Sequence, residues 1–198
     1  MPCLSCHGAP NRLTTPPRRL ESSVLTSLQP GELASHFTLL GLDGREYSLP
    51  GDTAGQPLLL VFFRSGCPTC DVVFPYINRL RDAYPDGWRL WAVSQDDPER
   101  ARKYASEHAL NYPVLIDAPA LDASYLYDPP STPTLYLVDS GGQVNYVSEG
   151  FAKSDLNELS AMLASSIDTT AVEIAPEDDG KPAMKPGCMA RQRMPRRR

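Results

Sequence analysis

Cys67 and Cys70 are separated only by Pro68 and Thr69, and they follow directly on the apolar run Leu58-Leu59-Leu60-Val61-Phe62-Phe63. Two thiols at that spacing, where a buried strand gives way to a helix, can pass between dithiol and disulfide. A helix start leaves backbone N–H groups unpaired and carries partial positive charge, so a thiolate there is favoured over the thiol. Cys67 is therefore the expected nucleophile. Cys70, one turn on, is placed to attack a mixed disulfide at Cys67 and release the partner. Pro68 suits the first helical position, because its φ is pre-set and the N–H it lacks would have been unpaired. The same spacing fits half of a zinc site. The second such pair, Cys3 and Cys6, lies sixty residues away, far from zinc-ribbon spacing, and the redox reading leads.

The elements around the pair must hold it at the end of a strand. Leu58–Phe63 is apolar on both faces, as in a central strand covered by helices. A helix is expected from Pro68 to about Tyr84, bent where Pro75 removes a hydrogen bond. Before it, residues 36–39 and 45–49 read as a hairpin turning at Leu42-Asp43-Gly44. After it come a strand over 88–94 and a helix capped by Asp97 with Pro98 just inside. A short strand over 114–117 and at most two helical turns over 121–127 follow. Residues 134–139 and 143–148 form a second hairpin around Ser140-Gly141-Gly142, and a last helix starts at Ser154. This alternation is that of an α/β sheet sandwiched between helices.

With 198 residues, 41% of them hydrophobic, the chain can form one domain with a buried core and ends to spare. The expected division is an irregular, proline-rich arm over 1–30, a redox domain over 31–168, and a disordered tail over 169–198, basic at its end. Residues 181–198 hold seven basic residues and no acid, so the remainder carries 12 basic against 24 acidic, a net −12. An acidic body repels phosphate backbones, and the basic end has no interleaved aromatics, so no nucleic-acid partner is indicated. No apolar run approaches the eighteen residues of a membrane span. Arg18-Arg19 precedes an apolar stretch too short for an export signal and cut off by Pro30, so the cytoplasm is the expected location. In that reducing compartment a cysteine pair is catalytic more often than structural.

The strand, Cys67-Pro68-Thr69-Cys70, the helix carrying Pro75, and Ser131-Thr132-Pro133-Thr134-Leu135-Tyr136-Leu137-Val138-Asp139 together resemble the thioredoxin-like superfamily, over about residues 33–165. The strand–helix unit between Leu90 and Asp117 resembles the insertion of TlpA/ResA-type oxidoreductases and of peroxiredoxin-related (AhpC/TSA) redoxins. The resemblance implies a thioredoxin-like fold, a central mixed sheet flanked by helices with an N-terminal β-hairpin and an inserted strand–helix unit. It also implies a cis proline at Pro133 beside the cysteines. An X-Pro bond is the one for which cis costs little, and a cis turn before a strand exposes the Thr132 backbone to a docking peptide. Two positions depart from the pattern. Arg64-Ser65-Gly66 replaces the usual aromatic before the first cysteine, leaving Arg64 to support a Cys67 thiolate by its charge or to point to solvent. The buried acid that thioredoxin uses as a proton relay is missing, with Glu46 and Asp96 the candidates to replace it.

The implied activity is thiol–disulfide exchange with no bound cofactor. Its partners are a protein or small-molecule disulfide and a reductase or dithiol electron donor, and its setting is redox homeostasis. A second reading is a thiol peroxidase. Peroxiredoxins place threonine or serine three residues before the reactive cysteine and proline seven before it, where this chain has Arg64 and Leu60. A third reading joins the ends, with Cys3, Cys6, His7 and Cys188 as a four-ligand metal set. Cys3-Leu4-Ser5-Cys6-His7 also fits the haem-attachment pattern, and Cys188 could form a regulatory disulfide with Cys3 or Cys6. His36 and His108 have no partner motif, and no Ser or Cys protease is indicated.

Overall fold

The computed structural model describes residues 27–194; Cys3, Cys6, His7 and most of the expected N-terminal arm lie outside them. The element order is β1 (Phe37–Gly41), β2 (Glu46–Leu49), β3 (Leu58–Phe63), α1 (Pro68–Ala83), β4 (Arg89–Ser94), α2 (Pro98–Glu107), β5 (Val114–Ile116) and α3 (Asp122–Tyr127). It continues with β6 (Ser131–Thr132), β7 (Thr134–Val138), β8 (Val144–Glu149), β9 (Phe151–Ala152), α4 (Lys153–Ser166), β10 (Met184–Lys185) and β11 (Cys188–Met189).

Among the described residues the main sheet has seven strands in the order β2-β1-β5-β4-β3-β7-β8. β3, β4 and β5 run parallel, and the other pairings are antiparallel. β3 lies inside, and its apolar run serves both faces. Leu59, Val61 and Phe63 join a core with α1, α2 and α4, whereas Leu58, Leu60 and Phe62 join one with Phe37, Trp91, Tyr127 and Tyr136. Alternate residues of a strand point to opposite faces, so a strand apolar at every position is one covered on both sides.

The mixed sheet, the hairpin and the inserted β4-α2-β5 unit agree with the sequence reading. Asp97 caps α2 by accepting from Arg100 N at 3.0 Å, and Pro98 occupies its first turn. Pro75 lies inside α1, and the Thr132–Pro133 bond is cis.

The C-terminal segment differs from the reading of 169–198 as a disordered tail. Residues 169–194 run back across the domain. Tyr84 Oη accepts from Val172 N at 2.8 Å, Asn157 Oδ1 accepts from Ile174 N and Ala175 N at 3.0 and 2.9 Å, and Ile174 and Ala175 enter the core. The buried Lys153 ammonium donates to the Glu177 carbonyl at 2.8 Å and to Asp179 Oδ1 at 2.6 Å. β10 pairs with β9, and β11 pairs with β6. Proline, acid and glycine make the segment look unstructured, but its backbone groups are satisfied by partners elsewhere in the fold.

Candidate active site

The site is where β3 ends and α1 begins. The connecting loop is held by Asp96, whose carboxylate accepts from Ser65 N at 2.5 Å. Cys67 occupies the N-cap of α1 in extended conformation, with φ −103° and ψ 104°, Pro68 takes the first helical position, and Cys70 stands three residues into the turn. The Cys67 side chain makes no capping hydrogen bond to α1, and it sits at the helix end where unpaired N–H groups leave partial positive charge. Both side chains are buried, above an aromatic layer of Phe63, Phe74 and Tyr104.

β6 and the cis proline form the second wall. The Cys67 thiol donates to the Thr132 carbonyl at 3.0 Å. Thr134 Oγ1 donates to the Ser131 carbonyl at 2.7 Å and pins the two sides of Pro133.

The third wall is the C-terminal segment. β11 lies antiparallel to β6 with Cys188 opposite Thr132 and Met189 opposite Ser131, and Thr132 Oγ1 donates to the Cys188 carbonyl at 3.4 Å. The rim of α1 bonds the same segment: Thr69 Oγ1 donates to the Pro186 carbonyl at 2.7 Å, and Lys185 Nζ donates to the Pro68 carbonyl at 2.9 Å. The half-buried Cys188 packs against the core cluster that holds Cys67 and Cys70, in register with Thr132, whose carbonyl the Cys67 thiol meets. The described cysteines therefore form one cluster with Cys67 at its centre.

The cluster is electrically asymmetric. Donation from the Cys70 thiol holds Cys67 far below an ordinary thiol, to about 4, against burial, and the nearby Cys188 thiol adds to it. Burial pushes Cys70 well above its usual range, and its bond to Cys67 keeps its proton in place. Burial and the bond to Cys67 raise Cys188 as well, opposed by the charge of Arg64. The neutral Cys67 thiol is bonded to the Thr132 carbonyl, but the thiol donors favour the anion more strongly. One sulfur is thus ionised near neutral pH while its neighbours hold protons, the distribution a nucleophile and its resolving thiols require.

The fold brings Cys67, Cys70, Thr132 and Pro133 together as the sequence suggested. Arg64 has a different neighbour: its Nε donates to the Met189 carbonyl at 3.3 Å, on the C-terminal segment. Asp96 is buried and committed to Ser65 N and the Arg191 guanidinium, and Glu46 is exposed on β2. Three of the four residues in the terminal metal set lie outside the described residues, and the fourth, Cys188, stands beside Cys67. Among the described residues no group of three or more His, Cys, Asp and Glu is placed to hold a metal ion. Sequence reasoning did not find Pro68 and Thr69 as partners of the segment, nor Cys188 as a neighbour of Cys67. One signal was available: Cys188 directly follows Gly187, a residue type that permits close backbone approach.

Comparison with known proteins gives a consistent picture. The family described as AhpC/TSA matches residues 30–147. The thiol-disulfide oxidoreductase ResA of Geobacillus thermodenitrificans is 31% identical over 138 residues, 67% of this chain and 77% of the relative. The thioredoxin-like protein YneN of Bacillus subtilis is 31% identical over 127 residues, 62% of this chain and 73% of the relative. Among solved structures, a thiol:disulfide interchange protein DsbE of Chlorobium tepidum superposes with a TM-score of 0.65 at 29% identity, covering 71% of this chain and 99% of that one.

Proposed function

We propose, from the premise that this chain belongs to the AhpC/TSA family and is a thiol–disulfide oxidoreductase of thioredoxin-like fold, that Cys67 attacks a substrate disulfide and Cys70 resolves the product. The Cys67 thiolate attacks one substrate sulfur, a mixed disulfide forms, and the other substrate sulfur leaves as a thiolate. Cys70 then loses its proton and attacks Cys67 Sγ; the Cys67–Cys70 bond forms, the mixed disulfide breaks, and the substrate departs as a dithiol. Two electrons pass from the pair to the substrate, and a reductase or small dithiol returns them. The observation that carries the assignment is the shared burial of the two sulfurs with opposite proton preferences.

Protein disulfides are the substrate class. The Thr132 backbone, on β6, is the docking strand once β11 gives up its place there, since an extended peptide adds to a strand edge through main-chain bonds. The cytoplasmic location belongs to this proposal too: a reducing compartment keeps the pair as a dithiol, so the chain acts there as a reductant. Cell fractionation combined with acid trapping of the thiols tests that point.

The test of function is reduction of insulin disulfides with dithiothreitol as the electron source, compared with peroxide consumption by the same preparation. Insulin reduction that is lost in Cys67→Ser supports the assignment. Peroxide turnover without insulin reduction supports the peroxidase reading instead. Nothing in the geometry favours that second reading: Leu60 is buried in the middle of β3, and Arg64 is turned to the Met189 carbonyl.

A further inference from the structure

The strand edge proposed above as the docking site is already paired. β11, within residues 184–193, lies along it, and the fit is specific on both sides. A Cβ on Gly187 would stand 2.7 Å from Ser131 Cβ and 2.9 Å from the Thr132 carbonyl oxygen. A Cβ on Gly150 would stand 2.7 Å from Gly187 N and 2.8 Å from the Lys185 carbonyl. Each glycine leaves the space that the other backbone fills. The segment is also fixed upstream and downstream of this contact. Upstream, β10 pairs with β9, and Asp179 meets the buried Lys153. Downstream, Arg191 pairs with the buried Asp96, Arg193 with the buried Asp128, and Gln192 Nε2 donates to the Pro129 carbonyl at 2.7 Å. Between these anchors the chain presents a cysteine, opposite Thr132 in register, to the sulfur that donates to the Thr132 carbonyl.

We infer that residues 184–193 are a built-in substrate strand and that Cys188 is a third redox cysteine, which exchanges with Cys67 to form a Cys67–Cys188 disulfide. The inference rests on Cys67 and Cys70 being an exchange pair. In the oxidised chain, the Cys188 thiolate attacks Cys67 Sγ, the Cys67–Cys188 bond forms and the Cys67–Cys70 bond breaks. Cys70 leaves as a thiolate and takes up the proton that Cys188 gave; no electron enters or leaves. When a partner is joined to Cys67, Cys188 can expel it in the same way, and the partner departs as a thiol. A substrate polypeptide must displace the strand to reach Thr132, so the segment sets a competition that selects extended chains able to pair in its place.

The experiment uses the full-length chain carrying Cys3→Ser and Cys6→Ser, with oxidised glutathione as the oxidant, at protein concentrations low enough to disfavour dimers. Free thiols are then blocked in acid and the chain is mapped by mass spectrometry without reduction. In the Cys70→Ser background, one glutathione disulfide and two protein thiols should give two glutathione molecules and a Cys67–Cys188 crosslink as the main product. A glutathionylated Cys67, or a dimer through Cys67, with Cys188 still free overturns the inference. The parallel Cys188→Ser background separates the two readings. A Cys67–Cys70 crosslink there, without Cys67–Cys188 in the first background, sinks the third cysteine and leaves the exchange pair standing. If neither crosslink forms, both readings fall.

Discussion

Cys70 reaches Cys67 from the first turn of α1, fully buried and backed by the aromatic layer of Phe63, Phe74 and Tyr104, whereas Cys188 reaches it on a two-residue strand, half-exposed, held by backbone bonds and a few ion pairs. The first flank is part of the hydrophobic core and cannot move without disturbing the sheet. The second is joined to the domain by backbone hydrogen bonds and ion pairs rather than by packed rings, so parting it from β6 leaves the aromatic layer in place. A site built this way keeps a rigid resolving thiol on one side and an exchangeable occupant on the other.

The largest expected effect is on the shared centre. Cys67→Ser should lower insulin reduction by at least about three orders of magnitude, the scale on which losing a covalent nucleophile acts, and a variant within tenfold of the parent would place the nucleophile elsewhere. Next comes the rigid flank. Phe63→Ala removes a buried ring in contact with Phe74 and Tyr104 and should cost about 3–5 kcal/mol. Urea unfolding of the reduced chain measures it, and a loss under about 1 kcal/mol would mean that the flank is not core.

The two thiols should also differ in how strongly they hold the Cys67 anion. Thiolate absorbance at 240 nm in the reduced chain should show Cys67 titrating at about 4. Cys70→Ala should move that value upward more than Cys188→Ala does, because the Cys70 thiol is the larger contributor. The reverse order would contradict the asymmetry. The same shift sets the pH dependence of stability. A thiol whose folded value lies below its unfolded value makes the unfolded chain bind more protons between the two. The reduced chain should therefore gain stability as pH rises from about 4 towards 9, and lose that part again as pH falls through about 4.

The smallest effect belongs to the movable flank. Arg191→Ala removes the ion pair to the buried Asp96 and should speed amide hydrogen exchange over residues 184–193 while β3 amides keep their protection. Acceleration in β3 as well would mean that the two flanks open together.

What could be read in advance follows the same division. The apolar run of β3, the Cys67-Pro68-Thr69-Cys70 turn, the Asp97 cap and Thr132-Pro133 are local patterns, each set by residues within one or two turns of chain. The segment over 169–194 leaves no such pattern. Its strands are two residues long, its burial rests on isolated positions such as Ile174 and Ala175, and its ion pairs join it to Lys153, Asp96 and Asp128 far away in the chain. Composition made it look unstructured because its partners, not its own periodicity, supply the order. The partner of the Arg64 side chain is illegible in sequence for the same reason, since the Met189 carbonyl it bonds lies on that segment.

The central claim is that Cys67 and Cys70 exchange as a two-electron pair. Equilibrating the chain carrying Cys3→Ser, Cys6→Ser and Cys188→Ser across a series of glutathione redox buffers, followed by acid trapping and mass mapping, measures it directly. The account predicts one transition in which both thiols vanish together into a Cys67–Cys70 disulfide, with the ratio of forms changing tenfold for about every 30 mV. Two thiols that stay free across the whole series, or that become glutathionylated independently of each other, would contradict it.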